Sequence, residues 1–135
     1  MSAAERFADT SVLLYLLSAD TTKADRAEAL LADGATISVQ VLNEFASVAS
    51  RKLGLSAAEI GAALEPIKAV CTVVPITLAV HERGLGVVKR YGFSIYDAMI
   101  VGAALEAGCK TLFTEDLQDG QTIEKTLHVK NPFRR

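Results

Sequence analysis

Several acidic side chains in this sequence lie at positions from which their carboxylates could do chemistry together. Asp9 follows a short apolar segment near the start of the chain, and Glu44 falls on the apolar stripe of a helical pattern. Asp97 opens a further helical pattern, while Asp116 and Asp119 follow a later apolar segment. Glu44 and Asp97 have no Lys or Arg three or four residues away, the spacing at which acids on a helix surface are commonly paired.

Most of these acids also have an ordinary structural explanation. Asp9 can cap a helix, Asp97 can be the acidic half of a capping box that begins at Ser94, and Asp116 and Asp119 can be turn residues. Glu44 is harder to explain in this way, because a solvated Glu belongs on the polar face of a helix.

If the fold brings these acids together, their mutual repulsion has to be offset. Two carboxylates about 4 Å apart repel by roughly 4 kcal/mol at an effective dielectric constant near 20. A divalent cation resolves this conflict, and oxygen ligands without His or Cys indicate Mg²⁺ or Mn²⁺ rather than zinc. Hard cations held by carboxylates typically act on phosphate esters, which makes phosphoryl chemistry the leading interpretation.

The elements that must position these acids alternate between strand and helix patterns. We expect strands that end at residue 8 and that span 35–38, 71–74, 110–114 and 127–129. We expect helices over 11–17, 39–53, 78–90 and 95–107, one from a cap at Thr21 or Thr22 to residue 33, and one from Ser56 that Pro66 kinks or ends. This alternation predicts a parallel sheet with helices on both faces.

Composition narrows the class of protein further. Half of the 135 residues are hydrophobic and 22% are charged, which excludes a disordered chain and suits one domain over residues 1–135. The absence of a long apolar run and of a signal-peptide pattern predicts a cytoplasmic protein. The net charge of −2 disfavours nucleic-acid binding through a basic surface alone. Cys71 and Cys109 are expected to be buried thiols, and His81 and His128 to be structural or surface residues.

The order of these motifs resembles the PIN-domain nucleases, especially the small bacterial ribonuclease toxins of type II toxin–antitoxin pairs, the virulence-associated protein C group. The resemblance covers essentially the whole chain, and it is carried by Asp9-Thr10-Ser11, Asn43-Glu44, residues 94–98 and residues 114–119. It implies a three-layer α/β/α sandwich with a parallel sheet of about five strands. It also implies metal ligation by Asp9, Glu44, Asp97 and one of Asp116 and Asp119, with Thr10, Ser11 and Thr114 orienting a carboxylate, a water or the substrate phosphate.

The loop at 115–120 departs from the family pattern. Three acids crowd it, Glu115, Asp116 and Asp119, and Gly120 stands where the family often has an aromatic residue. We favour Asp116 as the fourth carboxylate because it lies closest to the end of the strand, with Asp119 as the second candidate.

The function that the resemblance implies is a metal-dependent endoribonuclease that acts as a toxin. A water activated by Mg²⁺ or Mn²⁺ attacks an RNA phosphodiester in a single strand or an exposed loop. The expected partners are an antitoxin protein and a second copy of the chain. Candidate phosphate contacts are Arg51, Lys52, Lys89, Arg90 and Lys110.

Three alternatives remain open at this point. A receiver-like phosphoacceptor domain has a similar sheet but needs an acidic pair after the first strand, and Asp9 stands alone. A phosphatase of the haloacid-dehalogenase type needs a second Asp where Ser11 stands. The domain can also be a non-catalytic binding module.

Overall fold

A six-stranded sheet lies at the centre of the computed structural model, which describes residues 2–134. The strand order is β3-β2-β1-β4-β6-β5, and every pairing is parallel except that of β5 with β6. The strands are β1 (Arg6–Ala8), β2 (Ala35–Ser38), β3 (Cys71–Val74), β4 (Thr111–Phe113), β5 (Thr122–Ile123) and β6 (Leu127–Lys130).

Six α-helices connect and cover the strands within this part of the chain. They are α1 (Thr10–Tyr15), α2 (Thr21–Ala32), α3 (Val39–Leu53), α4 (Ala57–Val70), α5 (Leu78–Tyr91) and α6 (Ile95–Glu106), and a short 3₁₀ turn precedes β1. The α/β class and the largely parallel sheet are therefore as predicted. The sixth strand is β5, whose two residues are too few to give a recognisable sequence pattern.

The register places the ends of three strands at one edge of the sheet. In the central strand β1, Phe7 lies opposite Thr36 of β2 and Leu112 of β4, and Ala8 lies opposite Phe113. Because parallel strands end at the same edge, the residues that follow β1, β2 and β4 converge there.

Several helix boundaries follow directly from capping chemistry. The Ser38 hydroxyl accepts a hydrogen bond from Val41 N at the start of α3, and Gly54 ends this helix with a left-handed φ of 65°. Ser56 and Glu59 form a reciprocal capping box at α4. These predicted boundaries are confirmed.

Two predicted boundaries differ in the structure. Helix α4 does not end at Pro66 but continues to Val70. Pro66 is exposed, so water can reach the carbonyl that its ring leaves without a helical donor, while Leu64 and Ile67 pack into the core on either side of it. Helix α2 is capped by Asp20, whose carboxylate accepts from Lys23 N, rather than by Thr21 or Thr22.

Helix α6 is buried along most of its length and is held between the sheet and α5. Its residues from Ala98 to Leu105 are all buried. Gly102 permits close approach of α5, because a Cβ atom there would lie 2.8 Å from Val80 O. This packing fixes the first turn of α6, which carries Asp97.

Both cysteines are buried free thiols, as predicted, and burial raises the pKa of each. Within residues 2–134, no helix is long and apolar enough to cross a membrane.

Candidate metal centre

Asp9 is fixed where β1 ends, at the centre of the sheet edge. Its backbone N–H donates to Phe113 O across a distance of 3.0 Å, which joins the ends of β1 and β4. Asp9 occupies the N-cap position of α1, but its carboxylate makes no capping hydrogen bond to that helix. The residue is 5% exposed, so its carboxylate is buried without serving as the cap of α1.

Two hydroxyl groups hold the Asp9 carboxylate and the loop after β4 together. Ser11 Oγ and Thr114 Oγ1 donate to Asp9 Oδ2 at 3.1 and 2.7 Å. The same hydroxyl oxygens accept hydrogen bonds from the backbone N–H groups of Glu115 and Asp116, at 3.1 and 3.0 Å. The two hydroxyls therefore hold the Asp9 carboxylate in place, and they also set the path of the loop.

Glu44 is held in the same region from α3. Thr10 Oγ1 donates to Glu44 Oε1 at 3.2 Å, and Gln40 Nε2 donates to Glu44 Oε2 at 2.9 Å. Glu44 is half-buried, and burial is the main cause that raises the pKa of its carboxyl group. The negative charges of Asp9 and Asp97 raise this pKa further.

The other two carboxyl groups are influenced by the same neighbours. Burial, followed by the charge of Asp9, raises the pKa of Asp97. Burial also raises the pKa of Asp116 from its ordinary 3.8 to about 6, with added contributions from the charge of Asp9, a hydrogen bond shared with Asp9, and the charges of Asp97 and Glu115. The charge of Asp9 thus acts on the pKa of each of the other three carboxyl groups, which places the four in one electrostatic cluster.

No basic side chain among residues 2–134 forms an ion pair with any of the four carboxylates. The cluster offers oxygen ligands and uncompensated negative charge, the donor set that suits Mg²⁺ or Mn²⁺. Among the same residues, no three side chains of Asp, Glu, His or Cys lie close enough together to hold a metal ion in this conformation. Hydroxyl and amide donors hold Asp9 and Glu44, and each carboxylate oxygen has a further lone pair, so binding a shared cation requires the carboxylates to move closer together without losing these donors.

Glu115 and Asp119 are the two loop acids that have cationic partners. Tyr15 Oη donates to Glu115 Oε1 at 2.5 Å, and Lys23 Nζ lies 3.5 Å from Glu115 Oε2. Asp119 accepts from Asn131 N at 2.8 Å and pairs with Arg134 at 3.6 Å. The structure therefore brings Asp116 toward the cluster and directs Asp119 to the segment after β6.

A surface depression of about 430 Å³ gives access to the cluster. Glu44 and Asp116 line it, with Lys52 and the apolar side chains of Leu14 and Leu53 around them. Asp9, Asp97 and Thr114 line a small adjoining crevice. Glu44 and Asp116 are thus open to a ligand from outside, whereas Asp9 lies behind them and is buried.

The five predicted phosphate contacts divide into two groups. Arg51 and Lys52 lie on α3 beside Glu44. Lys110 lies 3.9 Å from Glu5, and Lys89 and Arg90 line a separate depression on α5. The structure brings the first group to the carboxylate cluster and leaves the second group elsewhere.

Sequence reasoning missed three residues that support the site. Gln40 stands four residues before Glu44, and that spacing could have marked it as a partner. Tyr15 and Lys23 lie 100 and 92 residues away from Glu115 in the chain, and no local pattern connects them.

Comparison with known proteins agrees with this architecture. The model of the PIN domain family matches residues 6–118. The chain therefore belongs to the PIN domain family, and the predicted resemblance is confirmed at that level. No curated protein matches the chain by sequence.

Three solved structures share the fold. VapC20 of Mycobacterium tuberculosis, a toxin that cleaves the sarcin–ricin loop, is 24% identical with a TM-score of 0.67, over 82% of this chain and 91% of its own. A toxin–antitoxin complex from Klebsiella pneumoniae is 20% identical with a TM-score of 0.72, over 96% and 99% of the two chains. VapBC2 from Rickettsia felis, bound to a DNA fragment of its promoter, is 16% identical with a TM-score of 0.66, over 93% and 98%.

Proposed function

We propose that this protein is a metal-dependent endoribonuclease and that it acts as the toxin of a toxin–antitoxin pair. The observation that carries the proposal is the cluster of four carboxylates, without a cationic partner among residues 2–134, located where the central strands of a PIN domain end. Family membership favours this function over the receiver-like and phosphatase-like alternatives. The cleavage assay below separates it from a non-catalytic binding module.

Asp9, Glu44, Asp97 and Asp116 would hold Mg²⁺ or Mn²⁺, and Asp119 is the less favoured candidate. When bound, such a cation activates a water and stabilises charge on a phosphodiester. The chain itself supplies orientation: Ser11 and Thr114 hold the Asp9 carboxylate, and Thr10 and Gln40 hold that of Glu44.

The proposed partners follow from the fold neighbours, which include a toxin–antitoxin complex and VapBC2 bound to a DNA fragment of its promoter. We propose three partners: an RNA substrate, a cognate antitoxin protein and a second copy of the chain. We also propose that residues 1–135 act as one domain, and that the protein works in the cytoplasm because its substrate is cellular RNA.

The direct test is RNA cleavage by purified protein with Mn²⁺. Asp9→Asn and Asp97→Asn should remove cleavage while the circular dichroism spectrum is retained, because each loses a cation ligand without losing volume. Asp25→Asn is the matched control, since Asp25 is an exposed acid on α2. Full activity in either cluster variant contradicts the proposal.

The toxin assignment has its own readout in cells. Expression of the wild-type chain should arrest growth, and expression of Asp9→Asn should not. Growth arrest that persists with the variant would overturn the toxin role, because the arrest would then not depend on the carboxylate cluster.

A further inference from the structure

A second depression, of about 450 Å³, lies on the other side of Glu44 from the first. It is lined by polar and charged residues of α3, including Asn43 and Arg51, and by Tyr96 of α6. Glu44 and Val48 line both depressions, so the two meet at the edge of the carboxylate cluster. A polymer that is cut at this cluster has to occupy space on both sides of the bond that breaks.

Tyr96 has an exposure that folding does not explain. Its side chain is 65% exposed, although it directly precedes Asp97 on α6. Among residues 2–134 it makes no hydrogen bond, ring contact or cation–π contact. A tyrosine ring in this position presents a face on which a nucleic-acid base can stack.

Each depression also contains one cation without an acidic partner. Arg51 lines the second depression and Lys52 lines the first, and neither forms an ion pair within the described part of the chain. Arg51 donates from Nε to Ser47 Oγ at 3.2 Å, and its other guanidinium nitrogens make no hydrogen bond within residues 2–134. Each depression beside Glu44 thus offers one cation that forms no ion pair within residues 2–134 and is available to an RNA phosphate.

Resting on the proposed function, we propose that the second depression is a binding subsite for one unstacked nucleotide of single-stranded RNA. The base stacks on Tyr96, Arg51 binds the adjacent phosphate, and Asn43 is available to the base edge. Lys52 binds the phosphate on the opposite side of the cleaved bond. Stacking requires a base that is free of a duplex, so the subsite selects single strands and open loops.

Steady-state cleavage of a single-stranded oligoribonucleotide with Mn²⁺ tests the stacking. Tyr96→Ala should raise KM by roughly 10-fold or more with kcat nearly unchanged, as expected for the loss of one base–aromatic stack. Tyr96→Phe keeps the ring and should restore the wild-type KM. Leu78→Ala is the matched control, because Leu78 is another large apolar side chain that is 72% exposed, on α5.

A fluorescence readout reports the contact without relying on turnover. The chain contains no Trp, so Tyr96→Trp introduces a single indole at the subsite. Rapid mixing with the single-stranded oligonucleotide should quench this emission before cleavage, and a duplex of the same sequence should not. Equal quenching by the single-stranded oligonucleotide and by the duplex overturns the proposal. The absence of quenching by either of them while cleavage proceeds also overturns it.

The dependence of KM on salt concentration tests the proposed contact between Arg51 and a phosphate. In Arg51→Gln the slope of log KM against log salt should fall by about 0.7, the value for one phosphate contact on a single strand. Lys125→Gln, an exposed cation on the β5–β6 turn, should leave the slope unchanged.

The outcomes separate this subsite from the function on which it rests. If the wild-type chain does not cleave RNA, the proposed function fails. If it cleaves with an unchanged KM in Tyr96→Ala, the subsite alone fails. A change in molar mass by light scattering for Tyr96→Ala would instead identify this face as a protein interface and would also overturn the subsite.

Discussion

The loop after β4 carries acids in opposite surroundings only a few residues apart. Burial, followed by the charge of the neighbouring Asp9, raises the pKa of Asp116 to about 6. Glu115, one residue earlier, is bound by Tyr15 and Lys23, and Asp119, three residues later, is bound by Arg134. Acidic residues of one loop thus have two different roles, one in the carboxylate cluster and two in ion pairs.

This contrast distinguishes the proposed cation site from an ordinary charged surface. Exposed ion pairs contribute little to stability, but they do satisfy the acids that form them. Within the described part of the chain, the carboxylates of Asp9, Glu44, Asp97 and Asp116 are held by neutral donors or by none, and no cation there compensates their charge. The fold tolerates this repulsion, and a divalent cation would remove it.

The largest expected effect comes from Asp116→Asn. Loss of a cation ligand should lower Mn²⁺-dependent RNA cleavage by more than the roughly 100-fold upper range typical of outer-shell partners. Without metal, the melting temperature should rise, because a repulsive charge beside Asp9 is gone. The rise in melting temperature that Mn²⁺ gives the wild-type chain should shrink. A variant that kept wild-type cleavage would remove Asp116 from the site and break the contrast with Glu115.

A pH effect of intermediate size should follow from the raised pKa of Asp116. Cation binding needs the ionised carboxylate, so Mn²⁺ affinity measured by calorimetry should fall as the pH drops below about 6. Asp116→Asn should bind more weakly and should lose this component of the pH dependence.

Stability of the metal-free chain should change with pH in the opposite sense. The folded state holds the Asp116 proton more tightly than the unfolded state, whose pKa is near the ordinary 3.8. Stability should therefore decline as the pH rises from about 4 through 6, and the decline should be smaller in Asp116→Asn. Solvent screening limits the size of this decline, because the side chain of Asp116 is only partly buried. Denaturant titrations at fixed pH values measure it, and an identical decline in both proteins would contradict the assignment.

The fold was largely predictable because its signals are local. The alternation of strands and helices, the Ser38 and Ser56 caps and the end of α3 at Gly54 each depend on a few adjacent residues. The path of α4 beyond Pro66 was not predictable in this way, because packing of Ile67 in the core offsets the loss of one helical hydrogen bond.

The candidate site was predictable in part for the same reason. Glu44 is recognisable from its position on an apolar stripe. The choice between Glu115 and Asp116 was open in the sequence, because the partners that neutralise Glu115 are Tyr15 and Lys23, on α1 and at the start of α2. Only the tertiary structure brings those residues to the loop.

The smallest expected effects come from the two paired acids. Glu115→Gln keeps a side chain that can accept from Tyr15, so Mn²⁺ affinity and RNA cleavage should change by no more than about threefold, within the range of an exposed ion pair. Asp119→Asn should change neither, since its Arg134 contact lies on the far segment after β6. Calorimetry of Mn²⁺ binding and RNA cleavage assays, run on both variants with Asp116→Asn as the reference, test these expectations. If Asp119→Asn lost cation binding as completely as Asp116→Asn, the loop would have to rearrange on binding, and the pairing seen here would not identify the ligand.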